Sequence, residues 1–350
     1  MIRVGIIGFG KMGRIRAATI LKSGRAELVS IAEAGPLTSG APAPRAASAE
    51  ALLEDPTIDA VFICTPNYLN KPLTIAALEA GKHVFCEKPP AFTAADVREI
   101  RIVEEKAAGV LMYGFNHRHH ESIQRMKQII DSGEMGRILW MRGRYGKEVN
   151  RSFFNGWRAK KALAGGGIML DQGIHMLDLF LYLGGGFDEV QAMVSNLYWK
   201  IDGIEDNVFA NFRCSKTGLC ASLHSTMTQW RYLFSLEVFL EQGALILNGL
   251  KTSSGAYGEE DLAIKRVDSA SHRGAFDREE RNIFHTDTSW ESEAREFFSA
   301  ISDRRPVPIG GSLDALAVMK LMDRIYANGT SDGLSVGDPP LSRKVDGWTA

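Results

Sequence analysis

Five short apolar runs divide the first third of the chain, and helical patterns separate them. The first run contains Ile2, Val4, Ile6 and Ile7, a β-branched composition typical of a strand that is covered on both faces. Similar runs follow at residues 28–32, 60–64, 83–86 and 110–114. Strands that alternate with helices predict an α/β fold, here a doubly wound Rossmann sheet of parallel strands with right-handed crossovers. We expect the strand order 3-2-1-4-5, with a ligand crevice at the carboxyl ends of the strands.

The helix that follows the first run shows a helical spacing of apolar residues. Ile15, Ala18 and Leu21 share one face, and Gly24 is a stop signal. We therefore expect these three side chains to bury the helix against the sheet.

The pattern changes beyond residue 118, which predicts a second domain. Between residues 189 and 250 apolar residues tend to occupy every second position, as Val208, Ala210 and Phe212 do before a turn at residues 215–218. This alternation predicts an α+β domain with a large, open, mainly antiparallel sheet, one face of which a second copy of the protein could cover. Helical patterns at residues 291–302 and 313–327 follow. We predict a dinucleotide-binding Rossmann domain over 1–118, a substrate-binding and oligomerisation domain over 119–330, and a tail of undefined structure over 331–350.

Composition narrows the function classes. The 350 residues contain 41 lysines plus arginines and 42 aspartates plus glutamates, a balance that favours neither nucleic acid nor an acidic membrane surface as a partner. The first strand begins at residue 2 and no apolar segment is long enough to span a bilayer, so we expect neither a signal peptide nor a membrane anchor. The four cysteines lack metal-ligand spacing, which predicts reduced core thiols in a cytoplasmic protein.

A glycine motif lies between the first strand and the first helix. It consists of Gly8, Phe9, Gly10, Lys11, Met12 and Gly13. In a dinucleotide-binding turn the first glycine makes the tight bend, the second leaves space for the pyrophosphate, and the third lets helix and strand pack closely. The free N–H groups at the helix N-terminus then face the phosphates. The alternative is a glycine-rich turn without a ligand, but the strand–turn–helix context favours dinucleotide binding.

Glu33 ends the second strand, about 20 residues past the glycine motif, where an acidic residue usually binds the adenine-side ribose hydroxyls. A carboxylate there repels a 2′-phosphate. We therefore expect NAD(H) to be preferred over NADP(H); the alternative is a surface glutamate without this role.

Two stretches carry candidate catalytic groups. Lys88 follows the fourth strand on the crevice side, where a cationic nicotinamide ring would lower its pKa and suit it to acid–base work. On a helix, Asp171, His175 and Asp178 would share one face. We expect Asp171 to fix the tautomer of His175 and tune its pKa near neutrality, and Asp178 to brace the ring from the other side. The alternatives are a solvated loop lysine and an amphipathic helix whose polar face meets water.

Together these segments resemble the Gfo/Idh/MocA oxidoreductases, the glucose–fructose oxidoreductase and inositol dehydrogenase group. The similarity covers roughly residues 2–327 and rests on several motifs in combination. They are the glycine motif, Thr65-Pro66-Asn67, Glu87-Lys88-Pro89, Gly114-Phe115-Asn116, Trp157-Arg158 before Gly165-Gly166-Gly167, and Asp171–His175.

The resemblance implies a set of site residues. It assigns catalysis to Lys88, Asp171 and His175, a cis peptide to Lys88–Pro89, and oligomer contacts to the sheet of the second domain. It also implies that the cofactor is lined by Thr65, Pro66, Asn67, Glu87, Lys88 and Asn116. The sequence departs from the family at Asn70, where a histidine is frequent, which puts a cofactor contact there in doubt.

The substrate side of the site is predicted from fewer residues. An aromatic platform and hydrogen-bond donors for a polyhydroxylated ring could come from Tyr145, Lys147, Asn150, Trp157 and Arg158, together with Lys88, Asp171 and His175. The segments 198–199, 205–208 and 228–230 resemble a family branch linked to surface-glycan and nucleotide-sugar biosynthesis. The histidine-rich run 117–120 lacks metal-ligand spacing, and we expect a surface at the domain junction there and no metal site.

These residues predict an NAD(H)-dependent oxidoreductase that moves a hydride between nicotinamide C4 and a secondary alcohol or ketone. The expected substrate is a sugar, sugar acid, cyclitol or nucleotide-linked sugar, and the expected assembly is a homodimer or homotetramer. One alternative is a non-catalytic, dinucleotide-binding regulator of the same fold. Another is an enzyme that retains its cofactor and shuttles hydride between two sugars. Either Lys88 or His175 could accept the proton.

Overall fold

The computed structural model describes residues 1–37, 40–252, 255–267 and 279–329. Its N-terminal part is a five-stranded parallel sheet in the order β2-β1-β3-β4-β5. The strands are β1 (Ile2–Ile7), β2 (Ala26–Ala32), β3 (Ala60–Ile63), β4 (His83–Cys86) and β5 (Leu111–Tyr113). Between them lie the helices α1 (Lys11–Ser23), α2 (Ala49–Glu54), α3 (Asn70–Glu79) and α4 (Ala94–Glu104). The predicted Rossmann fold is confirmed.

The expected strand order 3-2-1-4-5 is wrong. β3 pairs with β1, and among the described residues the position outside β2 holds only an isolated parallel bridge between Ile31 and Arg45. The Ile31 N–H donates to the Pro44 carbonyl, and the Ala46 N–H donates to the Ile31 carbonyl. The loop between β2 and α2 contains no β-branched run that could extend this bridge into a strand, so the third apolar run of the sequence forms the other neighbour of β1.

The expected buried face of α1 is also wrong, because Ala18 is exposed and Leu21 is 56% exposed. The helix instead buries a charged residue. Arg16 is fully buried, and its guanidinium lies 2.7 Å from Glu87 and 2.7 Å from Glu293. A buried arginine with two carboxylate partners is compatible with the core, so apolar spacing alone identified the wrong side of the helix.

The C-terminal part is an eight-stranded sheet in the order β13-β12-β11-β10-β6-β9-β8-β7. The strands are β6 (Ile138–Glu148), β7 (Glu189–Ser195), β8 (Asn207–Arg213), β9 (Cys220–Thr226), β10 (Thr228–Leu240), β11 (Gly243–Asn248), β12 (Glu260–Arg266) and β13 (Glu280–Phe284). Within the described residues β6 and β9 pair in parallel and the other neighbours are antiparallel. This confirms the mainly antiparallel sheet; its last two strands were not anticipated.

Five helices complete the described chain: α5 (Glu121–Ser132), α6 (Lys161–Ala164), α7 (Ile174–Gly184), α8 (Ser289–Asp303) and α9 (Ser312–Gly329). The last two confirm the late helical patterns, and the predicted tail over 331–350 lies outside the described residues. α9 packs against both α4 and β7 and so links the two sheets. Among the described helices none is long and apolar enough to cross a membrane. All four cysteines are free, but Cys220 is exposed, so the expectation of a core thiol is wrong there.

Candidate active site

A cavity of about 1120 Å³ lies where the carboxyl ends of the first sheet face the second sheet. It brings together residues that are far apart in the sequence. From the predicted cofactor set it is lined by Gly8, Gly10, Lys11, Met12, Glu33, Thr65, Pro66, Asn67, Glu87, Lys88 and Asn116. From the predicted substrate set it is lined by Lys88, Tyr145, Lys147, Trp157, Arg158, Asp171 and His175.

Three predicted residues do not line this cavity. Phe9 is buried in the core beneath the glycine turn. A Cβ atom on Gly13 would lie 2.1 Å from the Gly8 carbonyl oxygen, so Gly13 permits the close packing of α1 against the turn. Asn150 instead begins a short 3₁₀ turn, where its side chain accepts from the Ser152 N–H at 3.0 Å.

The glycine turn presents bare backbone to the cavity. Gly8 has φ +89°, and a Cβ there would lie 2.6 Å from the Cys64 carbonyl oxygen. At Gly10, apart from its chain neighbours, no atom of the described residues lies within 4 Å of the Cβ position. Gly10 also precedes α1 without a side-chain cap, and the first turn of the helix has no acidic residue. Free N–H groups, open space and the positive end of a helix dipole fit a pyrophosphate.

Glu33 lies beside this turn. One carboxylate oxygen accepts from the Phe9 N–H, and the other accepts from the Gly35 N–H at 3.1 Å. Arg45 donates to the backbone carbonyl of Glu33 at 2.7 Å. The carboxylate is therefore held at the end of β2, on the wall of the cavity.

Asp171 is the centre of a cluster of cations. Lys147 Nζ contacts one carboxylate oxygen, while Arg158 Nε lies 3.5 Å and Lys88 Nζ 3.6 Å from the other. Lys88 also donates to the Asp171 carbonyl oxygen. Burial alone would raise the pKa of Asp171, but Lys147, Lys88 and Arg158 hold it well below its ordinary value. Burial lowers the pKa of Lys88, and Asp171 opposes that shift.

The expected contact between Asp171 and His175 is absent from the described residues. Met169–Gly173 form a π-helical turn, which has more residues per turn than an α-helix, so positions four apart do not stack as expected. Nδ1 of His175 has no hydrogen-bond partner in the part of the chain that the structure describes. Burial and the positive charge of Lys88 lower the pKa of His175 well below its ordinary value, and the expected near-neutral pKa is wrong.

Asp178 does not brace His175 either. Arg118 Nε and Nη2 donate to its two carboxylate oxygens at 2.8 and 2.6 Å. Burial raises the pKa of Asp178 to about 6 despite this pair. Asp178 therefore belongs to a buried ion pair behind the site.

The run 117–120 is buried, so the expected surface is wrong. His117 lines the cavity and stacks on His175 with ring centroids 3.9 Å apart and planes 18° apart. Its Nδ1 lies 3.1 Å from Asn116 Oδ1 and its Nε2 lies 3.1 Å from the Tyr145 hydroxyl. Sequence reasoning missed His117, although its place directly after Asn116, just beyond a strand end, was a usable signal.

A cis peptide and Asn70 shape the backbone of the segment that carries Lys88. The Lys88–Pro89 peptide is cis, as the resemblance implied. Asn70 is buried and donates to the carbonyls of Glu87 and Pro89 at 3.2 and 2.8 Å, so it shapes this segment without lining the cavity.

The three aromatic residues of the segments 198–199 and 228–230 lie away from the cavity. They are Tyr198, Trp199 and Trp230, which form an aromatic cluster, and none of them lines the cavity.

Two family models match the chain. Residues 2–115 match the oxidoreductase family with an NAD-binding Rossmann fold, and residues 123–246 match the GFO/IDH/MocA C-terminal domain. The two matches fall on the first sheet and on the second part of the chain from α5 into β11.

Named relatives are similar to the chain over much of its length. A 1,5-anhydro-D-fructose reductase from Ensifer adhaerens is 32% identical over 261 residues, 72% of this chain and 77% of that protein. A D-glucoside 3-dehydrogenase from Escherichia coli K12 is 34% identical over 57% of this chain and 58% of that protein. The solved structure of a levoglucosan dehydrogenase in complex with NADH has a TM-score of 0.81 at 25% identity, covering 94% of this chain and 96% of that one.

Proposed function

The chain belongs to the GFO/IDH/MocA oxidoreductase family, and from that premise we propose which residues carry out its reaction. It is an NAD-dependent oxidoreductase with an NAD-binding Rossmann domain. The proposed substrate is a secondary alcohol, or the matching ketone, of a sugar, sugar acid, cyclitol or nucleotide-linked sugar. One observation carries the proposal: Lys88 from the first sheet and Asp171 and His175 from the second part line the same cavity.

The chain's own groups fit the dinucleotide. The backbone N–H groups at the start of α1 would hold the pyrophosphate beside Gly10. Glu33 would accept hydrogen bonds from the adenine-side ribose hydroxyls and repel a 2′-phosphate, which favours NAD over NADP. The nicotinamide would lie toward the second sheet, where it would be bordered by Thr65, Pro66, Asn67, Glu87, Lys88 and Asn116. When bound, that ring supplies the hydride acceptor at C4.

Acid–base work is assigned to two groups with lowered pKa values. His175 lines the cavity and is kept neutral by burial, so its imidazole can accept the hydroxyl proton. Lys88 can donate a hydrogen bond to the same substrate oxygen, since Asp171 favours its charged form. Asp171 positions Lys88 and Lys147 in this scheme and does not orient the histidine.

We also propose a homodimer or homotetramer formed through the second sheet. Met193 in β7 pairs with Phe209 in β8, and these side chains are 65% and 43% exposed. Trp140 stacks on Phe239 on the same sheet, with ring centroids 4.0 Å apart. An exposed apolar row of this kind is typical of an interface. A cytoplasmic location is proposed because the four cysteines are free, which suits a reducing compartment.

The direct test is NADH formation by the purified protein, offered NAD and a panel of sugars, cyclitols, sugar acids and nucleotide sugars. Activity on at least one member that is lost in Lys88→Ala and His175→Ala supports the proposal. Full activity in both variants removes these residues from the chemistry.

A further inference from the structure

The substrate half of the cavity carries more positive than negative charge. Lys88, Lys147 and Arg158 all lie around the single carboxylate of Asp171. The side chains of Lys88 and Lys147 are only 18% and 14% exposed, so water cannot fully solvate them. Three cations and one anion leave an excess of two positive charges, or of one when Lys88 is neutral.

Nearby carboxylates do not balance this excess. Glu87 is paired with the buried Arg16 at 2.7 Å. Asp287 also lines the cavity, but it accepts from the Ser289 N–H and hydroxyl and from the Trp290 indole N–H. Within the described residues no ion pair joins Asp287 to the three cations around Asp171. Partly buried charge that the protein leaves unbalanced is costly unless a ligand compensates it.

Arg158 is the member of the cluster best placed to meet a ligand. Its side chain is 44% exposed, and its guanidinium lies over the Trp157 ring, 4.3 Å from the centroid. Only Nε has a hydrogen-bond partner among the described residues, Asp171 at 3.5 Å. Both Nη groups therefore remain available as a planar fork, the geometry that binds carboxylate or phosphate with two hydrogen bonds.

Resting on the proposed function, we infer that the substrate is an anionic sugar whose carboxylate or phosphate binds Arg158 and Lys147. Trp157 and Arg158 form one wall of the subsite, and Asp171 holds both cations in place. The reacting carbinol then lies toward Lys88 and His175. A neutral sugar would leave the excess charge uncompensated, so the subsite selects against it.

The test uses matched ligands and NADH-saturated protein in isothermal titration calorimetry. D-glucuronate, D-glucose 6-phosphate and D-glucose form one set, and D-galacturonate, D-galactose 6-phosphate and D-galactose form the other. We expect at least one anionic ligand to bind about 10-fold or more tightly than its neutral counterpart. The carboxylate and phosphate members show which anion the subsite prefers. NADH formation with NAD is measured for the same ligands.

Arg158→Gln should reduce the preference for the anion over the neutral sugar by about 10- to 100-fold, the usual value of hydrogen bonds to a charged group. Arg151→Gln is the matched control, because Arg151 is exposed and does not line the cavity; it should keep the wild-type preference.

Equal binding of anionic and neutral ligands, binding of neither, or an equal loss for both in Arg158→Gln overturns the inference. Oxidation of neutral sugars without an anion preference overturns this inference and leaves the proposed function standing. Preferential anion binding supports the subsite even without NADH formation. The proposed function is contradicted when its own panel of sugars, cyclitols, sugar acids and nucleotide sugars also gives no NADH.

Discussion

His117 and His175 stack ring against ring, with centroids 3.9 Å apart. Burial lowers the pKa of each well below its ordinary value. His175 and Lys88 lower the pKa of His117 further, and Lys88 lowers that of His175, which Asp171 only partly offsets. Both imidazoles are therefore neutral at physiological pH. A neutral imidazole can accept a proton, which is the role proposed for His175.

Stability should fall in mild acid because of these histidines. When the pH falls below the ordinary histidine pKa of about 6.5, the histidines bind protons in the unfolded chain, whereas these two rings stay neutral in the native protein. The free energy of unfolding therefore decreases as the pH falls. We expect His117→Phe to reduce the proton uptake on unfolding by about one between about pH 7 and pH 5. Urea unfolding across this range measures it.

His285→Gln is the control for this prediction, because His285 is exposed. It should leave the pH dependence of unfolding as in the wild type. An identical pH dependence in His117→Phe and wild type would contradict the prediction, because His117 would then bind protons equally in the native and unfolded protein.

Glu33 should set the choice of cofactor. Glu33→Ala removes a carboxylate that repels a 2′-phosphate, so the preference for NAD over NADP should fall by about 10-fold or more. The ratio of kcat/KM for the two cofactors measures it. Glu27→Ala, on the exposed face of the same strand, should keep the wild-type ratio. If Glu33→Ala discriminates as well as wild type, Glu33 has no part in cofactor choice.

Substitution of Gly13 should lower the stability of the fold, whereas substitution of Gly10 should weaken NAD binding. A Cβ at Gly13 meets the Gly8 carbonyl at 2.1 Å, whereas one at Gly10 has open space. Gly13→Ala should destabilise the fold by about 1–3 kcal/mol through overpacking. Gly10→Ala should keep the wild-type Tm and bind NAD about 10-fold or more weakly, because its methyl group occupies the pyrophosphate position. Thermal unfolding and NAD titration separate the two; unchanged NAD affinity in Gly10→Ala would place the pyrophosphate elsewhere.

Local signals explain which parts were predictable. Apolar runs, the glycine motif and turn residues are short-range features, so most strands of both sheets, the late helices and the glycine turn of the cavity followed from them. The family resemblance alone predicted the cavity residues Thr65, Pro66, Asn67, Glu87 and Asn116. Ion pairs between residues that are distant in the sequence could not be predicted from such local features. Nothing near Asp171 indicates that Lys147 and Arg158 surround it, and nothing near Asp178 indicates Arg118.

Two of the errors share one cause, which is that local spacing assumes a regular helix with exposed charged side chains. The π-helical turn at Met169–Gly173 separates Asp171 from His175. The buried Arg16 reverses the face of α1. The strand order failed because the weak segment around Arg45 forms a bridge and not a strand.

Lys88 and His175 should each be essential for turnover but not for NAD binding. Lys88→Ala and His175→Ala should each lower kcat by about 100-fold or more, the usual contribution of a positioned acid–base group. Lys216→Ala, in the exposed hairpin turn, is the control and should keep wild-type kcat. Stopped-flow NADH formation gives kcat, and titration of NAD gives the binding constant; a loss confined to NAD affinity would assign both residues to the cofactor instead.

The central claim is that Lys88 and His175 act on one substrate oxygen, and a double-mutant cycle on kcat/KM for NADH formation tests it most directly. If the two residues act together, the factor by which kcat/KM falls in the double variant should be far smaller than the product of the factors in the two single variants. The reason is that the first substitution already disables the proton transfer, so the second has little left to remove. Single losses that multiply in the double variant, or single variants as fast as wild type, would contradict the claim.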